Sequence, residues 1–327
     1  MITYIHQYLI KQLQLFKKTN TNLRIHSILV SISSGQDSIC LIRIIEEIKQ
    51  ILNYELKIQY IYIDHQWKDN SQKQVEHIIN YLNCYKNHLY IYQIKTICNN
   101  ETDARNQRYN IILNHAVQKK HDIIITGHNL TDKIETFIQN LLKGTTIDGA
   151  TNLITCKYTS NNLILWRPLL NISRTEINWF CRNFQLPIWS DQTNYQYKIS
   201  RNRIRYELIP YLNNYFSINI EKRINSFLKI SNTDNDYIKQ TTLKLYLYAH
   251  HQNLIAINYQ VVQIQHFAIK QRMIQLFCYH HFNQILNKNL LYKILHVLSL
   301  HYKKNITRIF IWDEKRICIT NKWIYIH

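Results

Sequence analysis

The stretch SILVSISSGQDSICLIRIIEEIKQIL (27–52) decides the fold of this chain. It joins a continuous apolar run (27–32) to a helix-period segment (38–52) through the short polar turn SSGQDS (33–38). A buried strand, a tight turn and a helix in that order are typical of a parallel α/β sheet. Backbone N–H groups and the helix dipole would both point at an anion there, so the turn predicts a phosphate-binding loop. An ordinary serine-capped helix is the alternative.

Further apolar runs alternate with helix-period segments over the first 145 residues: KIQYIYID (57–64), LYIYQIK (89–95) and DIIIT (122–126). This alternation predicts an α/β fold with a Rossmann-like parallel sheet and helices on both faces. An irregular strand pair is expected within 151–170, and a mainly helical C-terminal region ends in a predicted β-hairpin that turns at Asp313-Glu314. We place the domain boundary near 215, which gives a domain of residues 1–215 and a region of residues 216–327.

Charge is the most informative feature of the composition. Lys and Arg number 40 against 21 Asp and Glu, a formal net charge of +19 over 327 residues. Such an excess indicates a polyanionic partner, most often nucleic acid, whereas a cationic surface kept for solubility or membrane contact is the alternative. No apolar run reaches eighteen residues, so no membrane segment is expected. Seven cysteines without a Cys-x-x-Cys pair argue against a disulfide framework or a zinc ribbon.

Glycine occurs four times and proline three times, whereas Ile, Asn, Lys and Tyr are overused. The overused residues have AT-rich codons, so we expect an AT-rich genome, most simply that of a plastid. No transit peptide is evident. The protein is therefore expected in the plastid (chloroplast) stroma where it is made, with the cytoplasm of an AT-rich bacterium as the alternative.

The surviving glycines are expected where the backbone tolerates no other residue. They are Gly35, Gly127, Gly144 and Gly149. All of them lie within or beside segments rich in polar side chains. This placement supports assigning those segments to a functional site.

The segment TGHNLTDKIETFIQNLLKG (126–144) again runs from a strand end into a helix. His128, Asp132 and Glu135 fall at i, i+4 and i+7, so they share one face if the helix extends through all of them. A solvated helix face is the alternative interpretation. The carboxyl edge of a parallel sheet, where such folds bind ligands, favours a site.

Two arginine-rich segments complete the candidates. ETDARNQRYNII (101–112) places Arg105 and Arg108 one turn apart, and RNRIRYELIP (201–210) carries three arginines within five residues. Arginines near a phosphate site can clamp a polyphosphate or an RNA backbone. Ordinary exposed basic helices are the alternative.

These residues resemble the PP-loop ATP pyrophosphatase superfamily and, within it, the tRNA(Ile)-lysidine synthetase family. SSGQDS resembles the family's Ser-Gly-Gly-x-Asp-Ser loop, and TGHNLTDKIET resembles its Gly-His-His-x-x-Asp-x-x-Glu-Thr block. YIDHQWK (62–68), ETDARNQRY and the series RPLL, DQTN (191–194), RNRIR and LIP follow in the family's order. The resemblance covers residues 27–210. Two departures are Ser34 in place of a loop glycine, which would be costly if that position needs a positive φ, and Asn129 in place of the second histidine.

The resemblance implies a ligase that uses ATP and Mg²⁺ on the wobble cytidine of an isoleucine tRNA with a CAU anticodon. The cytidine O2 attacks the α-phosphate and releases pyrophosphate, and the amine of free L-lysine then displaces AMP from C2. The product, lysidine, pairs with A, so the tRNA reads AUA instead of AUG. No membrane partner is expected, and an oligomer is compatible with the sequence.

The expected site residues are the motif residues that could serve each step of this reaction. ATP is expected to bind at Ser33, Ser34, Gly35, Gln36, Asp37, Ser38 and Gly127, with Asp37 as the Mg²⁺ ligand. Expected catalytic residues are Asp37, His128, Asp132, Glu135, Arg105, Arg201 and Arg205. Among these, the arginines would face the α-phosphate, while Asp132 and Glu135 would hold the lysine ammonium and act as base. Expected tRNA contacts are Arg108, Lys143 and Arg174, together with the region beyond 215.

Two other functions are compatible with parts of this pattern. Another PP-loop tRNA-modifying enzyme, such as a thiolase, would share the loop, but thiolases usually need paired or catalytic cysteines near the site. A non-catalytic tRNA-binding protein with a decayed loop would explain Ser34. The retained carboxylates argue against it, because binding RNA alone favours the loss of acids.

Overall fold

The computed structural model describes residues 2–19, 25–52, 56–64, 71–94, 101–159, 163–189, 200–299, 308–320 and 322–327. The predicted motif residues 65–68 and the DQTN segment (191–194) lie outside the described residues. The chain divides into two compact units, Met1–Lys229 and Ile230–His327.

The first unit is built on a six-stranded sheet of order β3-β2-β1-β4-β6-β5. Its strands are β1 (Ser27–Ile32), β2 (Lys57–Asp64), β3 (His88–Gln93), β4 (Ile123–Thr126), β5 (Cys156–Tyr158) and β6 (Ile164–Trp166). All neighbours pair in parallel except β5, which runs antiparallel to β6. The predicted parallel sheet and the strand pair within 151–170 are therefore confirmed.

Helices surround this sheet and continue into the second unit. They are α1 (Tyr4–Thr19), α2 (Gln36–Leu52), α3 (Ser71–Asn83), α4 (Glu101–Gln118), α5 (Leu130–Leu142), α6 (Ile147–Ala150), α7 (Arg174–Asn183), α8 (Ser200–Arg203), α9 (Ile209–Tyr215) and α10 (Ile220–Ala249). A π-helical segment, Ile204–Leu208, joins α8 to α9.

Side-chain alternation along β1 explains why both faces of the sheet are covered. Ile28, Val30 and Ile32 pack into one apolar core, which also receives side chains from α1, α2 and α7. Leu29 points to the opposite face, where α4 packs. Because β1 and β4 are parallel neighbours, their carboxyl ends lie side by side at one edge of the sheet, and the loops that follow them meet there.

A separate apolar cluster fixes α5 against the segment that follows residue 200. Leu130, Ile134 and Ile138 of α5 pack on Ile204 and Ile209. These contacts hold α5 and the π-helical segment in register, which matters for the site described below.

The second unit combines helices with a four-stranded antiparallel sheet of order β7-β10-β9-β8. Its further elements are α11 (Tyr259–Gln263), α12 (Phe267–Phe282), α13 (Lys288–Ser299), β7 (Ala256–Asn258), β8 (Arg308–Trp312), β9 (Lys315–Ile319) and β10 (Trp323–Ile326). The predicted hairpin is confirmed, with Trp312 opposite Lys315 and Asp313 in the left-handed region. Within the described residues, no helix combines the length and the apolar character needed to cross a membrane.

Only two of the four glycines lie where the structure disfavours any other residue. Gly144, just after α5, has a φ of +74°, and a Cβ on Gly149 would clash with Thr145 Oγ1. At Gly35 and Gly127 the nearest atoms to an added Cβ are 3.5 and 3.6 Å away, which is ordinary contact. The expectation that every glycine excludes a side chain is therefore wrong at these two positions.

Candidate active site

The predicted phosphate-binding loop joins β1 to α2 at the carboxyl edge of the sheet. The Ser33 N–H donates to Ser38 Oγ at 2.9 Å, the two serine hydroxyls lie 3.0 Å apart, and the Gly35 N–H donates to Ser33 Oγ at 3.3 Å. Because α2 begins at Gln36, its first N–H groups and the positive end of its dipole face this turn. The loop is thus a compact hydrogen-bonded turn at a helix start, with the geometry of an anion cradle.

Ser34 fits this loop without left-handed strain. It is buried and is absent from the described residues with positive φ. The strain that would follow from a required positive φ does not arise, because the backbone here stays in a region open to every residue.

Asp37 is the carboxylate of the loop and lies in the first turn of α2. Its Oδ1 atom is buried and has no hydrogen-bond partner among the described residues. Burial and then the neighbouring Asp132 raise the pKa of Asp37 to about 6, while Arg174 and Arg205 oppose the shift. A buried carboxylate oxygen without a donor beside a phosphate cradle fits a Mg²⁺ ligand, because the cation would satisfy the oxygen and offset the crowding of acids.

Gly127 and His128 follow β4 at the same edge of the sheet. A Cβ on Gly127 would lie 3.6 Å from the backbone of Asp37, so the end of β4 contacts the first turn of α2. His128 Nδ1 lies 2.9 Å from Thr126 Oγ1. Burial is the main cause that lowers the pKa of His128 to about 3, helped by Arg167, Arg108 and Arg105. His128 is therefore a neutral hydrogen-bonding group near pH 7.

Helix α5 begins at Leu130, too late to include His128 in the expected polar face. Asn129 is its N-cap: the Asn129 Oδ1 accepts from the Asp132 N–H at 2.9 Å, and Asp132 Oδ2 accepts from the Asn129 N–H at 3.1 Å. His128 therefore precedes the helix, and the expectation that His128, Asp132 and Glu135 share one helical face is wrong for His128. A side chain that can accept from the N3 amide is favoured at an N-cap, which gives Asn129 a structural role.

Asp132 and Glu135 form a neutral cluster of four charged groups with Arg201 and Arg205. Arg201 donates from Nε to Glu135 Oε2 at 2.5 Å and from Nη2 to Asp132 Oδ1 at 2.8 Å. Arg205 donates from Nε to Glu135 Oε1 at 2.5 Å and from Nη2 to Oε2 at 3.0 Å. Glu135 is fully buried. We call these four side chains the charged quartet. The two arginines expected to face phosphate are thus bound by the two carboxylates expected to hold lysine.

Burial and the neighbouring charges have opposite effects on the pKa of Asp132 and on that of Arg205. Burial alone would raise the pKa of Asp132, but Arg201, His128, the Asn129 N–H and Arg205 together hold it below its usual value. Hydrogen bonds and charges from Glu135 raise the pKa of Arg205 against the effect of its burial. The resting site therefore holds Asp132 as a carboxylate.

The remaining predicted arginines lie around this core. Arg105 and Arg108 each stack on Tyr109, with 5.8 and 5.9 Å between the guanidinium carbon and the ring centroid. Both arginines lower the pKa of His128, and Arg174, the first residue of α7, acts to lower the pKa of Asp37. Lys143 lies apart from this core, at the C-cap of α5.

Sequence reasoning missed two features of the site. Arg167 is buried and donates from Nη1 to the Ile154 carbonyl at 2.9 Å, close enough to His128 to lower its pKa. The pairing within the charged quartet was also missed. The spacing of the acids at i, i+3 and of the arginines at i, i+4 puts each pair on one side of its own segment, but it does not indicate that the two pairs meet.

The sheet order and the loop define a PP-loop nucleotide-binding protein. A family model of the PP-loop domain matches residues 6–212. Among solved structures, a U34-tRNA thiolase from Methanococcus maripaludis superposes with a TM-score of 0.54 at 15% identity, covering 68% of this chain and 80% of the thiolase. At that identity the likeness concerns the fold alone.

Curated relatives carry the identification further. A chloroplastic tRNA(Ile)-lysidine synthase from Gracilaria tenuistipitata var. liui is 43% identical over 324 residues, 99% of either chain. Another from Pyropia yezoensis is 37% identical over 77% of this chain and 76% of the relative. The chain belongs to the tRNA(Ile)-lysidine synthase family of PP-loop enzymes.

Proposed function

We propose that this enzyme ligates free L-lysine to C2 of the wobble cytidine in isoleucine tRNA with a CAU anticodon, through an adenylated base. The observation that carries the proposal is the charged quartet beside a PP-loop. One site thereby holds two cationic and two anionic side chains, and the proposed reaction brings together a phosphate and an ammonium group. The chloroplastic relatives support a plastid location, and we propose the stroma.

In the first step the loop residues hold ATP while the cytidine O2 attacks the α-phosphorus. The hydroxyls of Ser33 and Ser38 and the first N–H groups of α2 are placed to donate to the phosphate oxygens as pyrophosphate leaves. Asp37 would hold Mg²⁺, which when bound supplies positive charge to the leaving phosphates. The target base must leave its stack to present O2, as is expected of enzymes that act on a base.

The charged quartet suggests how both ligands are accommodated at a constant local charge. An incoming α-phosphate competes for Arg201 and Arg205, and an incoming lysine ammonium competes for Asp132 and Glu135. Binding both ligands exchanges each internal ion pair for a pair with substrate. Because the quartet is neutral before and after the exchange, neither carboxylate is left as an uncompensated buried charge.

The same exchange would activate the lysine nucleophile. Arg201 is the largest influence that keeps the pKa of Asp132 low against the effect of burial. Once Arg201 moves to the phosphate, the lysine ammonium is the cation that faces Asp132, and burial favours transfer of its proton to the carboxylate because that transfer removes both buried charges. A carboxylate that holds an ammonium in a buried site then becomes a better proton acceptor, and the free amine attacks C2 as AMP leaves.

RNA contacts are proposed on the strength of charge and position. Arg108 and Lys143 would contact tRNA, and residues 216–327 would bind the rest of that molecule. Arg174 was predicted as a tRNA contact as well, and its influence on Asp37 supports a position facing the phosphates.

The direct test incubates the protein with unmodified tRNA, Mg²⁺, ATP and radiolabelled lysine. We expect label in the tRNA only with ATP, its loss in Asp37→Ala and Glu135→Gln, and its retention in Glu314→Gln, a matched charge removal at an exposed hairpin turn. Formation of AMP and pyrophosphate with RNA but without lysine incorporation would replace this function with that of another PP-loop enzyme. Binding of tRNA with ATP untouched would leave only a binding protein.

A further inference from the structure

A groove of about 640 Å³ runs beside the charged quartet within the first unit. Its walls come from the second half of α5 and from the segment between α8 and α9. The lining side chains are Gln139, Leu142, Lys143, Arg203, Ile204, Glu207, Leu208 and Tyr211. Leu142 follows Glu135 by seven residues, about 10 Å along the helix axis at 1.5 Å per residue. The lining residues of α5 therefore lie one to two helical turns beyond Glu135.

Tyr211, which lines the groove, belongs to an exposed aromatic cluster. The Tyr211 ring centroid lies 4.9 Å from that of Tyr215 and 5.9 Å from that of Phe216. The three residues are 51%, 75% and 70% exposed. Neighbouring aromatic rings of this size are ordinarily buried, and a contiguous exposed apolar patch marks an interaction surface.

The polar groups at the rim narrow the choice of partner. Arg203 donates to Glu207 at 3.1 Å, so this pair contributes no net charge, and Lys143 leaves the rim with a net charge of +1. Aromatic rings with cationic neighbours match single-stranded nucleic acid, whose bases stack on the rings while the phosphates approach the cations. A chain with a net charge of +19 favours such a polyanionic partner over a basic or neutral protein surface.

We infer that the Tyr211 groove is a stacking platform for an unstacked nucleobase of the anticodon loop, next to the reacting cytidine. The inference rests on the proposed function, since it takes the substrate to be that tRNA. Extrusion of one base disturbs the stacking of its neighbours, and an aromatic platform would restore that stacking energy on the protein. Stacking accepts any base, so the groove would hold the loop open without reading its sequence.

The test uses a synthetic anticodon stem–loop in which 2-aminopurine replaces the adenine of the CAU anticodon. Tyr211→Leu keeps an apolar side chain but removes the ring, and Tyr211→Phe keeps the ring. Tyr4→Leu is the matched control, because Tyr4 is 65% exposed, stacks on Tyr8 and does not line the groove. We expect Tyr211→Leu to raise the Kd for the stem–loop about 5- to 150-fold, the range measured when stacking aromatics are replaced. The other two variants should bind like the unmodified protein.

Fluorescence and kinetics separate the possible outcomes. The 2-aminopurine signal should change on binding to the unmodified protein and to Tyr211→Phe but not to Tyr211→Leu, while the KM for ATP stays constant. Unchanged stem–loop binding by Tyr211→Leu would refute the inference. It would also be refuted if Tyr211→Leu altered only the sedimentation of the protein, because the groove would then bind a second copy of the chain. If no lysine is incorporated while binding still depends on Tyr211, the proposed function fails and the stacking platform stands.

Discussion

Replacing Glu135 by glutamine should destabilise the first unit strongly. Glu135 is fully buried and accepts three hydrogen bonds from Arg201 and Arg205 at 2.5, 2.5 and 3.0 Å. Glutamine has nearly the same shape, but it removes one negative charge and leaves two guanidinium groups to share Asp132. Breaking a buried ion pair from one side costs about 3–5 kcal/mol, because the remaining charge is left uncompensated.

A second Glu–Arg pair on the neighbouring helical segment provides the comparison. Arg203 and Glu207 lie 3.1 Å apart, but their side chains are 64% and 49% exposed. Glu207→Gln should cost no more than about 1 kcal/mol, since solvent screens an exposed pair. The same chemical change is thereby made once in a buried pair and once in an exposed pair of the same residue types.

Hydrogen exchange of peptides from α5 and from residues 200–215, together with urea unfolding, would measure both costs. The reasoning predicts faster exchange across both segments in Glu135→Gln and an unchanged pattern in Glu207→Gln. A Glu135→Gln variant as stable as the unmodified protein would refute the assignment of a charged, buried Glu135. Equal losses in the two variants would refute the role of burial.

Other expected outcomes concern titration and the backbone. Burial chiefly, and then His115, lowers the pKa of His121 to about 4, so the unfolded chain binds a proton near pH 6.5 that the folded protein does not. The contribution of His121 to the free energy of unfolding should fall by up to about 3 kcal/mol between pH 6.5 and pH 4, and urea titrations of His121→Gln should show a shallower decline than those of the unmodified protein. Ser34→Gly should leave the Kd for ATP unchanged by calorimetry, because no left-handed strain is relieved. Gly144→Ala should lower stability by about 1 kcal/mol and Gly127→Ala by less, since only Gly144 has a positive φ.

Local signals were sufficient to predict the sheet and the loop. The strand 27–32 and the strand 57–64 were predicted with the bounds that the structure has, because continuous apolar runs ending in polar turns leave few alternatives. Helix α2 begins at Gln36, two residues before the predicted start, because Gln36 and Asp37 are polar and did not extend the apolar period. Sequence patterns thus located the elements and erred mainly at their ends.

The charged quartet could not be predicted from such local patterns. Its hydrogen bonds join residues 66 to 73 positions apart, across a segment of strands, turns and helices. Placing Arg201 on Glu135 requires knowing that Ile204 and Ile209 pack on α5, which depends on tertiary contacts alone. The motif spacing identified the four residues. Each was assigned to bind a substrate group, and none was expected to bind another of the four.

Energetics explain why the quartet is better understood through function than through stability. A buried ion pair recovers little more than the cost of desolvating its charges, and apolar side chains of similar volume stabilise a fold as well or better. The apolar contacts of Ile134 and Ile138 with Ile204 already hold α5 against the π-helical segment without any charge. Four charged groups on the same two segments, near an Asp37 oxygen that has no hydrogen-bond partner among the described residues, therefore add little that the fold needs. Under the proposed function they supply instead two cations and two anions, already desolvated and held in position, that substrates of opposite charge would take over.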